Sequence, residues 1–462
     1  MKGVQDVHDR TSKSKRVAFF VLILLSASIS GCLEDDSRKH TDRLSESEYE
    51  SLDENESASP LNGSELLVNK SELSEHDAYL LFAGNGGTDI LLMDKELNII
   101  HYWNTSSRLG NDFQLMPNGD LLGLFKAKGN ENREDICFGG CGGSIQILDK
   151  NGTIIWQFDD FATDKRMLHH DVELLPNGNI LALSWEFLSR SDAKSLGIDT
   201  NTDLYYESIF EINWTTNDVV WEWHSIDHMV QDNDPSKPNY GNISESYHRI
   251  DFNYYLDCCG SDNGDIMHAN GFDYDAERNL IYLSVNFYNE VWVIDHSTNT
   301  TQAAGSSGGF YDLGGDLVYR FGNPAAYASN GTILFNKNHH PNLIKDEQIN
   351  GFGNIIIFSN SGGGENQSII YELALPTDEY GSTQSAPEVV WSYTNESLYS
   401  RIVSGAVRGK GNTTYIAEGD FGIWEVTPDG QVAWQFSYGE EKVWRAYVHY
   451  ADDPEIVALL KA

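Results

Sequence analysis

The stretch Asp171-Val-Glu-Leu-Leu-Pro-Asn-Gly-Asn-Ile-Leu-Ala-Leu183 decides the fold, because it has the pattern of a complete β-hairpin. Two runs that alternate apolar with other residues flank Asn177-Gly178, and Asn-Gly between such runs is the strongest short-range signal for a tight hairpin turn. Degenerate versions of this hairpin recur along the chain, at residues 112–119, 271–275, 341–358 and 404–417. A hairpin repeated in this way predicts an all-β repeat architecture.

A second unit recurs six times, and it consists of an apolar strand, an acidic or Asn turn, and a strand that closes on an aromatic residue. The copies lie at residues 90–103, 145–156, 209–223, 291–319, 369–391 and 423–434. Two hairpins per repeat give four antiparallel strands, and radial repetition of such sheets hides most strand edges. The sequence therefore predicts a six-bladed β-propeller, with long insertions at residues 186–208 and 227–265.

The N-terminal residues have the pattern of a targeting segment. A basic stretch ending at Arg16 precedes an apolar stretch over residues 17–29 that is short for a membrane span. Ile29-Ser30-Gly31-Cys32 follows the pattern of a lipobox, which predicts a lipoprotein signal peptide over residues 1–31 and a lipid on Cys32. The alternatives are an ordinary signal peptide or an uncleaved anchor. We expect an extracytoplasmic protein, attached to the membrane through Cys32.

Composition separates a stalk from the folded domain. Residues 32–75 are rich in Ser, Glu, Asp and Asn and poor in aromatic residues, which predicts a disordered stalk. The propeller is assigned to residues 76–462. The formal net charge of −39, from 70 acidic and 31 basic residues, repels nucleic acid and excludes it as a partner. Recurring Asn-X-Ser/Thr sequons fit a glycosylated surface.

Besides Cys32, the chain has four cysteines, and an even number in an exported protein predicts disulfides. Cys137 and Cys141 can pair with each other, or each can pair with one of Cys258 and Cys259. A four-thiolate metal site is the alternative, although the spacing lacks the usual two-residue gaps.

Histidines fall at equivalent positions of the recurring hairpins. The hairpins are aligned on Glu173, Asp273 and Asn342. His170, Asn270 and His339 then share one position on three blades, and His268 lies two residues before Asn270 on the same strand face. The adjacent alternates are His169 and His340. We expect these side chains to converge at the channel, where they can bind an anion or perform acid–base and nucleophilic chemistry. A three-histidine zinc site is the alternative.

Taken in order, these residues resemble the arylsulfate sulfotransferase (arylsulfotransferase, ASST) family over about residues 80–440. The segments that carry the resemblance are His169-His170-Asp171-Val-Glu-Leu-Leu-Pro-Asn-Gly178, His268-Ala-Asn270, 316–324, Asn338-His339 with 353–358, and 399–430. The resemblance implies a six-bladed propeller that transfers a sulfuryl group from an aryl sulfate ester to a phenol. It implies no nucleotide donor, no metal and no organic cofactor.

The resemblance also implies roles for individual residues. His339 would attack sulfur in a ping-pong mechanism and form a sulfohistidine, with His340 as the alternative nucleophile. His268 and Asn270 would bind sulfuryl oxygens, and His170 would assist proton transfer at the phenolic oxygen. Some members have a channel arginine where this chain has Asn286. The arginines that could replace it are Arg320 and Arg401.

Two other classes of function fit the same pattern. One is a tethered propeller that binds an anion, glycan or peptide without catalysis, and the other is a metal-dependent hydrolase. The enzyme needs His339 for turnover, whereas the binding module needs it only for affinity. Loss of activity on addition of a chelator would reveal the hydrolase.

Overall fold

The computed structural model describes residues 68–70, 78–128, 137–159, 163, 165–364, 366–439 and 442–461. The signal peptide, Cys32 and most of the predicted stalk lie outside these ranges. The first half of the chain contains β1 (Val68–Lys70), β2 (Tyr79–Gly84), β3 (Asp89–Asp94), β4 (Ile99–Asn104), β5 (Leu109–Leu115), β6 (Leu121–Lys126), β7 (Gly143–Leu148), β8 (Ile154–Phe158), β9 (Arg166–Leu174), β10 (Ile180–Leu188), β11 (Leu204–Asn213), β12 (Asp218–His224), β13 (Met229–Val230) and β14 (Ile250–Asp251).

The second half contains β15 (Ala269–Asp275), β16 (Leu280–Val285), β17 (Glu290–Asp295), β18 (Tyr319–Phe321), β19 (Asn338–Leu343), β20 (Ile355–Ser359), β21 (Ile369–Ala374), β22 (Glu388–Tyr393), β23 (Gly405–Arg408), β24 (Thr414–Glu418), β25 (Gly422–Val426), β26 (Val432–Ser437) and β27 (Val443–His449). The helices are α1 (Arg190–Ser195), α2 (Asn253–Cys258), α3 (Thr300–Ala303) and α4 (Pro454–Leu460).

Six antiparallel sheets form the six blades of a β-propeller, which confirms the predicted fold. Five blades are built in chain order, from β5–β8, β9–β12, β15–β18, β19–β22 and β23–β26. The remaining blade joins both ends of the domain, because β27 pairs with β2 and the sheet continues through β3 and β4. The short strand β1 lies within the stretch predicted as a stalk, and it pairs with β26 as a fifth strand of that sheet.

The aromatic residue that closes each repeat connects its blade to the next one. Trp103 donates its indole N–H to the carbonyl of Asp149, in the outer turn of the neighbouring blade. The closing aromatics of the other blades also donate to the neighbouring blade. Trp156 donates its indole N–H to the side-chain oxygen of Asn217, and Tyr319 donates its hydroxyl to the carbonyl of Ser385. The indole N–H groups bind backbone carbonyls in the remaining blades: Trp223 to Gly315, Trp391 to Pro428 and Trp434 to Lys95. The last of these bonds runs between the blade of β23–β26 and the blade of β2–β4. The aromatic signature of the repeat is therefore an interblade contact that closes the ring.

Acidic side chains connect the innermost strands, β9, β15 and β19, and confirm the hairpin alignment made from the sequence. Glu173 accepts a hydrogen bond from the backbone N–H of Tyr274, the residue after Asp273. Asp273 in turn accepts one from the backbone N–H of Leu343, at 2.5 Å. Each acid at the aligned position thus binds the backbone just after the aligned position of the next blade. Blades related in this way place equivalent residues at one height around the axis.

The predicted insertions carry the small elements outside the blades. Helix α1 lies between β10 and β11, and the segment between β12 and β15 contains the parallel pair β13–β14 and α2. Cys137 pairs with Cys141, as the first of the two sequence alternatives predicts, and Cys258 pairs with its neighbour Cys259. Among the described residues, no helix combines the length and the apolar character that a membrane crossing requires.

Candidate active site

The candidate site is built on irregularities that recur in the innermost strands. The pairing register between β9 and β10 shifts between Leu168 and Val172. Similar register shifts occur in β15 around Asn270 and in β19 after His339. Such β-bulges re-aim side chains, and they are frequent next to active sites. The histidines at or beside these shifts adopt left-handed backbone conformations, with φ of 58° at His170, 49° at His268 and 48° at His340. Strain of this kind clusters at functional sites.

His339 has one ring nitrogen in a defined protonation state. Its Nδ1 lies 2.6 Å from Oδ1 of Asn360. The amide of Asn360 is oriented independently, because its Nδ2 donates to the carbonyls of Ser400 and Val403. The amide oxygen can only accept, so Nδ1 of His339 carries the proton and Nε2 carries the lone pair. Burial lowers the pKa of His339 to about 3, which keeps the ring neutral at physiological pH.

His268 is held by a buried carboxylate. Its Nδ1 lies 2.6 Å from Oδ2 of Asp265, while the other oxygen of Asp265 accepts the backbone N–H of His268. One ring face of His268 stacks on Phe287, with centroids 5.0 Å apart, and Phe287 stacks in turn on Tyr255 of α2. The carboxylate and the aromatic stack together fix the position and orientation of this imidazole.

His170 lies next to His268, with ring centroids 5.0 Å apart. Its backbone N–H donates to the carbonyl of Gly140, inside the loop closed by the Cys137–Cys141 disulfide. A Cβ on Gly140 would lie 2.3 Å from Nε2 of His170, so only glycine lets this loop approach the ring so closely. The disulfide loop thus forms one wall of the site.

The three histidines lie close enough to influence one another electrostatically. Burial lowers the pKa of His170 well below its usual value, and the charges of His268, His169, His339 and Arg445 lower it further. The pKa of His339 is also lowered by His268 and Arg445, after the larger effect of burial. The structure therefore places His170 in contact with His268 and places His339 within electrostatic range of both. Burial thus keeps His170 and His339 neutral, and the neutral imidazole is the form that acts as base or nucleophile.

Asn270 lies in the same region, and one of its side-chain N–H groups is already hydrogen-bonded within the protein. It is fully buried, and its Nδ2 donates to the backbone carbonyl of Asn338, which also accepts from Asn286. Its Oδ1 is buried without a hydrogen-bond partner among the described residues. Nδ2 carries two protons, so one N–H remains for a further acceptor.

Arg445 is a buried cation on the axis that the sequence interpretation missed. It lies on β27 and donates from Nη1 to Asp112 and Asp171, at 2.9 and 3.0 Å, and from Nη2 to the carbonyl of Asn270. A Cβ on Gly271 would lie 2.5 Å from Nη2, so the next strand passes close to the guanidinium. The signal available in the sequence was the pair of acids at equivalent positions of neighbouring hairpins, since buried carboxylates require a cation.

His340, the alternate nucleophile, lies on the other side of this ion cluster. It lines a cavity of about 360 Å³ together with Arg445, Tyr447 and Lys345. Its Nδ1 faces Gly405, where a Cβ would lie 2.2 Å away, and it is buried without a partner among the described residues. The structure thus separates the two adjacent histidines and leaves His339 beside His268 and His170.

Arg320 lies outside this cluster. It occupies the outer strand β18, forms a bidentate ion pair with Glu290, and donates to the carbonyl of Arg249 at 2.8 Å. Its guanidinium also packs on the ring of Tyr327. Since these partners engage the whole guanidinium, Arg320 braces its blade and does not reach the histidines. This corrects its expected place in the substrate site.

Arg401 lies in the exposed loop before β23. Its backbone N–H bonds Asp420 at 3.3 Å. The backbone carbonyl of the preceding residue, Ser400, accepts a hydrogen bond from Asn360. Because Asn360 also contacts Nδ1 of His339, this loop lies next to the residue that orients His339.

The described residues contain one group with metal-ligand spacing, formed by His449, Asp453 and Glu455, with ligand atoms within 4.8 Å of one another. It lies at the end of β27 and the start of α4, and it does not include the channel histidines. All four cysteines of the domain are in disulfides, which overturns the four-thiolate site considered from the sequence.

The fold and the site define a six-bladed propeller with His170, His268 and His339 clustered at its axis, the first and last of them neutral. A model of the arylsulfotransferase (ASST) family matches residues 67–443, and the chain belongs to this family. Family membership indicates aryl sulfotransfer as the general activity. No curated protein matches this chain significantly.

Two of the solved structures that match this chain have a low sequence identity to it. BamB from Moraxella catarrhalis is 10% identical, with 84% of this chain and 96% of that chain covered and a TM-score of 0.34. A putative 6-phosphogluconolactonase from Bacteroides fragilis is 12% identical, with 83% and 86% covered and a TM-score of 0.36. Neither likeness bears on the function of this chain.

Proposed function

We propose that this protein transfers a sulfuryl group from an aryl sulfate ester to a phenol through a covalent intermediate on Nε2 of His339. The observation that carries the proposal is the contact between Nδ1 of His339 and Asn360, which assigns the lone pair to Nε2. A neutral imidazole with a fixed tautomer needs no base to activate it, so it can attack sulfur directly.

The chemistry divides into two half-reactions. In the first, Nε2 of His339 forms a bond to sulfur, the bond between sulfur and the aryl oxygen breaks, and the phenol leaves after protonation. In the second, the oxygen of the acceptor phenol bonds to sulfur, its proton is removed, and the N–S bond breaks with return of its electron pair to Nε2. No nucleotide sulfate donor, metal or organic cofactor enters either half-reaction.

The neighbouring groups have roles that follow from their positions. His268, oriented by Asp265, and the remaining N–H of Asn270 contact the sulfuryl oxygens. Trp444 adds a further donor, because its Nε1 is buried without a partner among the described residues and its ring lies 5.9 Å from that of His170. Donors placed before the reaction stabilise charge as it develops on the transferring group. His170 moves the proton to and from the phenolic oxygen.

The location proposed for this activity is outside the cytoplasmic membrane, with attachment through a lipid on Cys32. The sequence before residue 33 supports this, and so do the two disulfides, since disulfides persist in oxidising compartments.

Steady-state kinetics test the two-step character of the reaction. We expect double-reciprocal plots against donor concentration, measured at several phenol concentrations, to give parallel lines, because the first product leaves before the acceptor binds. Lines that intersect would contradict the covalent intermediate, and binding of aryl sulfate without turnover would favour a non-catalytic binding protein.

The pH dependence of the first half-reaction tests the state of His339. Its neutral form is the nucleophile, and with a pKa of about 3 it stays neutral throughout the range from pH 7 to pH 5. We therefore expect the rate of the first turnover with 4-nitrophenyl sulfate to change by less than about twofold over this range. An exposed histidine with an ordinary pKa near 6.5 would lose roughly 25-fold. Single-turnover release of nitrophenolate measures this rate. A fall in the rate of roughly 25-fold would show that the nucleophile titrates as an exposed histidine.

A further inference from the structure

His170 is connected to a buried carboxylate through a second histidine. Nδ1 of His170 lies 2.8 Å from Nδ1 of His169, and Nε2 of His169 lies 2.9 Å from Oε2 of Glu207. The ring of His169 is held flat against Trp185, with centroids 3.8 Å apart. Glu207 and His169 are fully buried, so no water competes for these contacts. Neither residue has a part in the chemistry described above.

The geometry allows two proton arrangements, and each determines the state of Nε2 of His170. If Glu207 is ionised, it accepts from Nε2–H of His169, whose Nδ1 then accepts from Nδ1–H of His170, and Nε2 of His170 holds a lone pair. If Glu207 is protonated, every bond reverses, and Nε2 of His170 carries a proton. Nε2 of His170 lies at the disulfide loop beside Gly140 and has no hydrogen-bond partner among the described residues, so it is the nitrogen of His170 that remains for a phenol.

We propose that Glu207, His169 and His170 form a proton relay in which Glu207 stores the proton exchanged with the phenolic oxygen. The inference rests on the proposed sulfuryl transfer and adds positioning residues to it. When the acceptor phenol gives its proton to Nε2 of His170, Nδ1–H of His170 passes to His169, and Nε2–H of His169 passes to Glu207. Protonation of the leaving phenolate in the first half-reaction is the reverse.

The electrostatics of the three groups agree with this arrangement. Burial, followed by the charge of Asp265, raises the pKa of Glu207 well above its usual value. Burial lowers the pKa of His169, as does the charge of His268. A proton is therefore more stable on the carboxyl group than as an imidazolium. The relay lets His170 act as acid and base without either histidine becoming charged.

Besides His169, the groups that face Glu207 are Asp265, His268 and the indole of Trp185. Glu207 accepts the backbone N–H of Ala269 at 2.8 Å on its second oxygen, and this bond persists in both states. The charged or titratable groups near His170 are His268, His339 and Arg445. Of these, Arg445 is neutralised by two aspartates.

The substitution Glu207→Gln tests the relay with little change in shape. The amide can accept from Ala269 and donate to His169, but it cannot take up or release the stored proton. In single turnovers we expect release of phenol from phenyl sulfate to slow roughly 100-fold, because its leaving group needs an acid. Release from 4-nitrophenyl sulfate, whose leaving group is stable as an anion, should change less than about threefold. Glu211→Gln is the matched control, because Glu211 lies on the same strand and contacts a different histidine, His296. This variant should change the release rates from the two donors by the same factor.

A spectroscopic measurement on the full-length chain tests the relay without any sulfate donor. With ¹⁵N-labelled histidine, we expect the proton of neutral His170 to move from Nε2 to Nδ1 as pH rises and Glu207 ionises. In Glu207→Gln the proton should stay on Nε2 at every pH. A tautomer that never changes in the wild-type protein, or equal slowing of both donors by Glu207→Gln, would overturn the relay. If the wild-type protein turns over no aryl sulfate, the proposed function fails, and the tautomer measurement still decides the relay.

Discussion

Replacing His339 with glutamine is expected to abolish the covalent intermediate and to reduce aryl sulfotransfer by roughly 10³-fold or more, the scale seen when an enzyme loses its nucleophile. Glutamine fills similar space and keeps a polar contact with Asn360, but its amide nitrogen has no lone pair that can attack sulfur. The rate of phenol release from an aryl sulfate, with and without acceptor, measures the effect.

His340→Gln is the control for this substitution. His340 lies next in sequence but lines the cavity on the other side of Arg445. We expect this variant to keep the covalent intermediate and to lose less than about tenfold in rate, since it removes no reacting atom. If His340→Gln lost the intermediate and His339→Gln kept it, the assignment of the nucleophile would be reversed.

Arg445→Met is expected to destabilise the domain strongly. Methionine fills the space of the side-chain stem but leaves Asp112 and Asp171 buried without a counter-charge. Removing one partner of a buried ion pair costs about 3–5 kcal/mol. For a domain of this size, that corresponds to a fall in melting temperature on the order of 5 °C, because the entropy of unfolding scales with chain length.

Two variants show whether unpaired charge is the cause. Arg445→Met combined with Asp112→Asn and Asp171→Asn should recover more than half of the lost stability, because the carboxylates are gone. Lys410→Met removes a cation whose partner Asp452 is exposed, and it should cost less than about 1 kcal/mol. If Arg445→Met and Lys410→Met lost the same free energy of unfolding, burial of the ion cluster would contribute nothing to the stability of the domain.

The fold was predictable because its repeat is carried by local signals. The Asn-Gly turns and the closing aromatics, such as Trp103 and Trp434, mark hairpins within a few residues of one another. The closure of the ring was not predicted, because β27 and β2 come from opposite ends of the domain. The short strand β1 fell within the predicted stalk for a related reason, since its pairing with β26 is a long-range contact.

The candidate site was predictable where it follows the repeat. Alignment of the hairpins placed His170, His268 and His339 on neighbouring blades, and their mutual electrostatic influence agrees with that placement. The carboxylates that hold the histidines were not predicted, because Glu207 and Asp265 lie outside the aligned hairpins. Arg320 was misplaced because a sequence cannot reveal that Glu290, across the ladder, occupies its guanidinium. A buried arginine with a bidentate acid is more often structural.

The central claim is tested most directly by incubating the full-length protein with an aryl sulfate in the absence of acceptor, quenching, and measuring the intact mass. We expect one added SO₃ per chain, located by peptide mapping to His339, lost on addition of a phenol and absent from His339→Gln. Acceptor-dependent turnover with no adduct at any time would contradict it, because the sulfuryl group would then pass directly from donor to acceptor.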